Sequence, residues 1–276
     1  MVVMSVRGHS PPYEGYPART FAHMDPEVVS LSTPRPVRRS LLVQRWTDLA
    51  FLHWPVDPAL VAPLLPVGTV PDTLDGVTYV GLIGFRMEDV GFLSGPGVPY
   101  LGSFAETNVR FYSVDAQGRR GVVFRSLEAE RLIPVLVARA TLNLPYMWSR
   151  MRLTRDGDVL TYTTRRRWPG PRGAASEMTV RVGAAITEPT PFEQFVTARW
   201  GLHTTAWGRT IHLSNDHPVW PLHRAELLSL SDTLVGAAGL PQPSGPPVSV
   251  LYSPGVPVTF GATARPGSGG VQQAHS

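Results

Sequence analysis

The sequence predicts a mainly β protein with a few short helices. Three observations carry that expectation. The 276 residues include 26 glycines and 28 prolines, only 17% are charged against 43% hydrophobic, and short runs of period-two alternation are separated by Asp-Gly turn signals. Glycine and proline interrupt long helices and supply the turns that many short strands need. A chain of this length can hold one large β unit, and a single core is expected.

Taken in order, residues 1–38 are rich in Pro, Arg and Ser, with Pro11, Pro12, Pro34 and Pro36 breaking any period, and read as a flexible N-terminal tail. Residues 39–263 form the folded unit, and residues 264–276, dominated by Gly, Ser and Gln, read as a second flexible tail. Residues 41–54 are a long apolar run with aromatic insertions, expected to be a strand buried on one face. Asp57 then caps a short helical pattern over 58–65. Asp75-Gly76, Asp156-Gly157 and the 115–118 segment each mark a turn between β-like runs. Arg150, Arg152 and Thr154 alternate with Met151 and Leu153, which puts the arginines on one strand face. The spacing of Leu132, Val135, Leu136 and Arg139 predicts a helix over 131–142, and that of Phe192, Phe195, Val196 and Arg199 a helix over 191–200. Strands are expected within 205–230 and 248–260, with a helical turn at 231–238.

Several function classes fall away on composition. Zero cysteines exclude disulfides, thiolate nucleophiles and Cys-based zinc sites. All 25 basic side chains are Arg, and a guanidinium cannot give up its proton to form an imine, so Schiff-base catalysis by an internal lysine is excluded. The formal charge is +4 with a pI near 9.7, yet the arginines are scattered, so a nucleic-acid surface is not indicated; Trp148 and Trp168 beside Arg165, Arg166 and Arg167 leave stacking open. No leader-like start and no run of about 18 apolar residues occurs, which makes a cytoplasmic protein without membrane attachment the expectation. His203, His212, His217 and His223 match no zinc motif, and no cofactor or metal is expected. There is no Gly-x-Ser-x-Gly elbow and no phosphate-binding glycine loop.

The candidate site begins with Glu106, Asn108, Arg110 and Tyr112, which alternate with Thr107, Val109 and Phe111 and so share one strand face. That face either lines a cavity or meets solvent, with Glu106 and Arg110 as an ordinary pair. Arg139, within an apolar segment, needs an anion if buried: Glu106, or a ligand carboxylate. His53 beside Trp54 is either a buried neutral histidine or a catalytic one. His217, with Asp216 to fix its tautomer, is a candidate for a pocket rim.

The motifs at 51–56 (Phe-Leu-His-Trp-Pro-Val), 64–66, 75–81, 104–112, 121–124, 138–139, 145–146, 195–200 and 217–222 resemble, in order and spacing, the YqjF-like or DUF2071 family of uncharacterised bacterial proteins, within the acetoacetate decarboxylase-like superfamily. The resemblance implies a closed or nearly closed antiparallel β-barrel with short helices at its mouth and an interior pocket. In that superfamily an active-site segment carries Gly-Arg-Glu, then a Gly, then Pro-Lys-Lys. Here Ala138 and Arg139 stand on the Gly-Arg, Ala140 on the Glu, Asn143 on the second Gly, Pro145 on the Pro, and Tyr146 and Met147 on the two lysines. A pocket Glu of the superfamily falls on Glu106. The resemblance therefore implies a pocket with its amine removed. A small carboxylate- or carbonyl-containing ligand, probed by Glu106, Tyr146 and His53 as acid/base groups and held by Arg139 with Arg110, Asn108, Tyr112 and His217, would permit enolisation, hydration, dehydration or retro-aldol chemistry. A binding protein without catalysis is the alternative, and strand edges at a barrel rim leave a homodimer open.

Overall fold

The computed structural model describes residues 25–92, 102–132, 139 and 143–263. Within them twelve strands form one sheet: β1 Val37–Val56, β2 Thr69–Pro71, β3 Thr78–Phe92, β4 Phe104–Asp115, β5 Arg120–Ala129, β6 Tyr146–Asp156, β7 Val159–Trp168, β8 Ala175–Ala185, β9 Gly201–Ala206, β10 Arg209–Asp216, β11 His223–Asp232 and β12 Ser249–Thr263. The helices are short: α1 Pro58–Val61 running into a 3₁₀ turn, α2 Pro191–Thr197 and α3 Leu234–Ala237. Asp57 caps α1 as expected, its carboxylate accepting from the Ala59 amide at 2.8 Å. The helix expected over 131–142 lies mostly outside the described residues, as does the C-terminal tail.

The sheet closes. Strands β5-β6-β7-β8-β11-β12-β1-β3-β4 return to β5 as a nine-strand barrel. Strands β9 and β10 open a second circuit, bridging β5 to β12, so that β1, β3 and β4 are a wall shared by two rings. Period-two alternation along this wall supplies both interiors. Ala50, Leu52, Val80, Leu82, Val109 and Phe111 face the larger barrel, packing on Leu160, Tyr162, Met178 and Val180. Leu49, Phe51, Ile83, Phe85 and Tyr112 face the smaller ring with Leu202, Trp220, Val258 and Phe260. Most pairings are antiparallel, as the barrel expectation required, but β5 pairs in parallel with both β6 and β9. That exception makes β5 the strand at which the two circuits divide.

Two further features position the site. Helix α2 starts with a capping box, the Thr190 hydroxyl accepting from the Glu193 amide at 3.2 Å and the Glu193 carboxylate from the Thr190 amide at 2.8 Å. The box fixes where Phe195 and Val196 enter the smaller ring. The second is a correction to the expected tail: from Asp25 on, the chain lies against the barrel. The Glu27 amide donates to the Gly118 carbonyl at 2.9 Å, the Glu27 carboxylate accepts from the Arg120 amide at 2.9 Å, and Trp200 Nε1 donates to the Ser30 carbonyl at 3.0 Å. These bonds saturate polar groups that a loose tail would leave to water. No helix among the described residues is long and apolar enough to cross a membrane.

Candidate functional site

The polar face of β4 points inward. Glu106, Asn108, Arg110 and Tyr112 are 2%, 3%, 7% and 0% exposed, so the solvent-facing alternative does not hold. Glu106 sits between Phe85 of β3 and Ala129 of β5 in register. The parallel β5–β6 pairing sets Tyr146 beside Leu127, itself opposite Asn108, and from there the Tyr146 hydroxyl donates to Glu106 Oε2 at 3.1 Å. Burial pushes the Glu106 carboxyl up to about 8, with hydrogen bonds from Tyr146 and Asn108 pulling the other way. Burial and the neighbouring Glu106 carboxyl push the Tyr146 phenol well above its ordinary value.

Neither expected arginine neutralises Glu106. Arg139 donates from Nη1 to the Tyr146 backbone carbonyl at 2.7 Å, and its guanidinium lies over the Trp168 ring at 5.4 Å. Arg110 donates from Nη2 to the Val196 carbonyl at 3.0 Å, stands 5.6 Å from the Phe51 and Tyr112 rings, and leaves its Nε without a partner. Among the described residues no carboxylate reaches Arg110; the buried carboxylates Glu128 and Asp72 are taken by Arg166 and Arg199. Glu106 and Arg110 stand four strand positions apart, about 13 Å along the backbone.

His53 belongs to the Arg110 end. Its Nε2 meets the Tyr112 hydroxyl at 2.8 Å, and that hydroxyl donates to the Val196 carbonyl at 3.1 Å. The Tyr112 proton being spent on Val196, His53 donates from Nε2 and keeps a bare, unpartnered Nδ1. Burial, then the charges of Arg110 and Arg199, hold the His53 imidazole well below its ordinary value, and it is neutral. Gly81, opposite both His53 and Arg110 in register, makes this possible: a Cβ there would come within 3.3 Å of the His53 ring and the Tyr112 hydroxyl. His217 donates from Nδ1 to the Pro218 carbonyl at 2.7 Å and stacks on Trp200 with ring centres 4.3 Å apart. It lines, with Arg110, Arg199, Asn215 and Trp220, a cavity of about 20 Å³ inside the smaller ring. The structure thus joins Glu106, Asn108 and Tyr146 at one end of the face, and His53, Arg110 and Tyr112 at the other.

Two buried features escaped the sequence reading. Arg199, 4% exposed, is clamped by Asp72 and donates from Nε to the Phe195 carbonyl at 2.7 Å, with its guanidinium 4.7 Å from the Tyr112 ring. The signal was its recurrence on the apolar side of α2. On the larger-barrel side, Glu128 binds Arg166 through both carboxylate oxygens and accepts from the Ser149 hydroxyl at 2.6 Å. Among the described residues no group of three or more His, Asp or Glu side chains is placed to hold a metal ion.

Comparisons with known proteins place the chain in a family and agree with its fold. The model of DUF2071, described as an uncharacterized conserved protein, matches residues 43–257. The chain belongs to the DUF2071 family. A family relative, the uncharacterized protein YqjF of Bacillus subtilis (strain 168), is 30% identical over 210 residues, covering 75% of this chain and 86% of that protein. Among solved structures, an acetoacetate decarboxylase-like enzyme from Sphingomonas wittichii RW1 superposes with a TM-score of 0.55 at 13% identity, over 84% of this chain and 95% of that one. The enduracididine biosynthesis enzyme MppR, complexed with pyruvate, does so with a TM-score of 0.52 at 14% identity, over 79% and 86%. At such identities the likeness is one of fold: a DUF2071 chain built on the acetoacetate decarboxylase-like barrel.

Proposed function

We propose that this protein binds a small carboxylate- or carbonyl-containing molecule in the smaller ring, whose cavity of about 20 Å³ must widen to admit it, and carries out acid/base chemistry on it without an amine. The observation that carries the reading is the Glu106 carboxyl: buried, facing no cation, and bonded to the Tyr146 hydroxyl at 3.1 Å. A carboxyl raised to about 8 is matched to proton transfer near neutral pH. As carboxylate, Glu106 takes a proton from the carbon next to a ligand carbonyl. The electron pair moves onto the carbonyl oxygen, where the Tyr146 hydroxyl hydrogen-bonds the developing charge, and Glu106 returns the proton to carbon or oxygen. Tyr146 acts as a hydrogen-bond donor and not as the proton source, since its phenol is held far above neutrality. Arg110, whose Nε is unspent, suits a ligand carboxylate better than Arg139, which is committed to the Tyr146 backbone, and a ligand held there while reacting at Glu106 must span the about 13 Å that separate the two along the strand. The MppR structure holds pyruvate, a small acid that carries a carbonyl, though one shorter than the span from Glu106 to Arg110.

The test is exchange of the α-protons of small 2-oxo acids in deuterated water, followed by proton NMR. The reading expects exchange that falls by about 10²- to 10⁴-fold in Glu106→Gln, the usual range for loss of a general base, while acid-induced thermal stabilisation is kept. Exchange at the wild-type rate in Glu106→Gln overturns the acid/base assignment. The binding-protein reading, favoured by Tyr146 and Met147 standing where the superfamily has lysines, expects thermal stabilisation with no exchange in either protein.

A further inference from the structure

Outside the rings, the ends of β6 and β7 carry a concavity of about 790 Å³ lined by Leu132, Trp148, Arg165, Arg166, Arg167, Trp168, Arg172 and Gly173. Its floor is set by register: Trp148 stands directly opposite Trp168, and Arg150 opposite Arg165, on the face of β6 that also bears Tyr146. The charges here are of one sign. Arg166 turns through the sheet to Glu128, whereas Arg165, Arg167 and Arg172 have no carboxylate partner among the described residues. Arg181 pairs with Glu226 and Arg155 with Asp48 elsewhere on the surface, whereas here those three guanidiniums without carboxylate partners gather around one concavity. Two guanidiniums already lie on the indoles, Arg167 over Trp148 at 4.9 Å and Arg139 over Trp168 at 5.4 Å. Trp168 nevertheless remains 42% exposed, unusual for so large an aromatic on a strand.

An arginine laid on an aromatic face keeps its planar fork of N–H groups directed sideways, preorganised for phosphate or carboxylate oxygens. Three uncompensated guanidiniums around one concavity favour a multiply charged anion over a single carboxylate. The volume lies within the roughly 300–1,000 Å³ of small-molecule sites and is far larger than an inorganic anion fills, which leaves room for the body of a ligand beside its charged group. Exposed indole surface suits a flat ring. We propose that this cleft binds a small phosphorylated molecule carrying a planar ring, of the nucleotide class, with Arg165, Arg167 and Arg172 on its phosphates and Trp168 against its ring. The site is separate from the Glu106 chemistry and does not depend on it.

The probes are AMP and ATP, with adenosine, inorganic phosphate and a single-stranded oligonucleotide as controls, titrated into the full chain at about 150 mM salt by calorimetry and tryptophan fluorescence. The expected result is saturable binding of ATP, tighter than AMP, with adenosine and phosphate each at least tenfold weaker than either. Binding falls at least tenfold in Arg165→Gln/Arg167→Gln/Arg172→Gln, whose melting temperature stays at the wild-type value because the three side chains are exposed. Trp168→Ala weakens ATP but leaves the weak phosphate binding unchanged, which a purely electrostatic surface would not do. The proposal is overturned if ATP shows no saturable binding, if the triple variant binds it as the wild type does, or if affinity grows with oligonucleotide length beyond that for ATP.

Discussion

The two faces of β4 handle buried charge in opposite ways. Toward the larger barrel, Glu128 and Arg166 are a closed pair: the guanidinium Nε meets the two carboxylate oxygens at 3.1 and 3.2 Å, Ser149 occupies a further lone pair, and Thr107 and Thr164 bond each other at 2.9 Å beside them. Toward the smaller ring, Glu106 has no cation and Arg110 no anion among the described residues, though they share one face four positions apart. A buried charge without a counterion is costly. The first arrangement is closed by its own ions, and the second, on the proposed reading, is completed by a proton on Glu106 and a ligand anion at Arg110. The difference separates a structural polar core from a poised one within one fold.

Breaking the closed pair should have the largest effect. Glu128→Gln strips Arg166 of its anion in a dry interior and should cost about 3–5 kcal/mol of stability, read as a large fall in the denaturant midpoint. The open side should respond in the reverse sense. Because the folded protein holds the Glu106 proton to about 8 while the unfolded chain releases it near the ordinary carboxylate value of about 4.5, Glu106's contribution to stability is full below about pH 4.5 and is lost as pH rises to about 8. Glu106→Gln, a mimic of the protonated form, should therefore stabilise the fold at pH 8–9 by a few kcal/mol, on the order of 3, and change little at pH 4. Equal unfolding curves at both pH values would remove the distinction between the two faces. Tyr146→Phe deletes the one hydroxyl that favours the carboxylate, so the midpoint of any Glu106-dependent pH profile should move upward by about one unit, equivalent to roughly 1.4 kcal/mol. The smallest effect is expected at Arg110→Met. The Val196 carbonyl keeps its Tyr112 donor and an unpaired buried cation is removed, so stability should change by less than about 1 kcal/mol in either direction, while thermal stabilisation by small acids disappears.

How much of this could be read beforehand follows from the range of each interaction. Alternation from Glu106 to Tyr112, the Asp57 cap and the Asp-Gly turns are local, and the strands and the shared polar face were legible from them, whereas the alternation left that face open to cavity or solvent and only the resemblance turned it inward. The parallel β5–β6 and β5–β9 pairings depend on residues far apart in sequence, and nothing in the alternation of β5 distinguishes one ring from two. For the same reason Asp72 gave no sign of meeting Arg199, which lies 127 positions on. Arg139 misled because its need for an acceptor was foreseen but a backbone carbonyl, that of Tyr146, meets it as well as a carboxylate would. Glu106 and Tyr146 were reached by resemblance to the superfamily pocket, and their mutual bond is what the fold adds.

The account rests on the state of one carboxyl, and a carbon-13 NMR titration of the glutamate side-chain carboxyls, with Glu106→Gln to assign the resonance, measures it directly. A midpoint near 8 for Glu106 is the predicted result. A Glu106 midpoint at or below about 4.5 would mean that a counterion reaches it in solution, and would contradict both the contrast between the two faces and its role as the proton carrier.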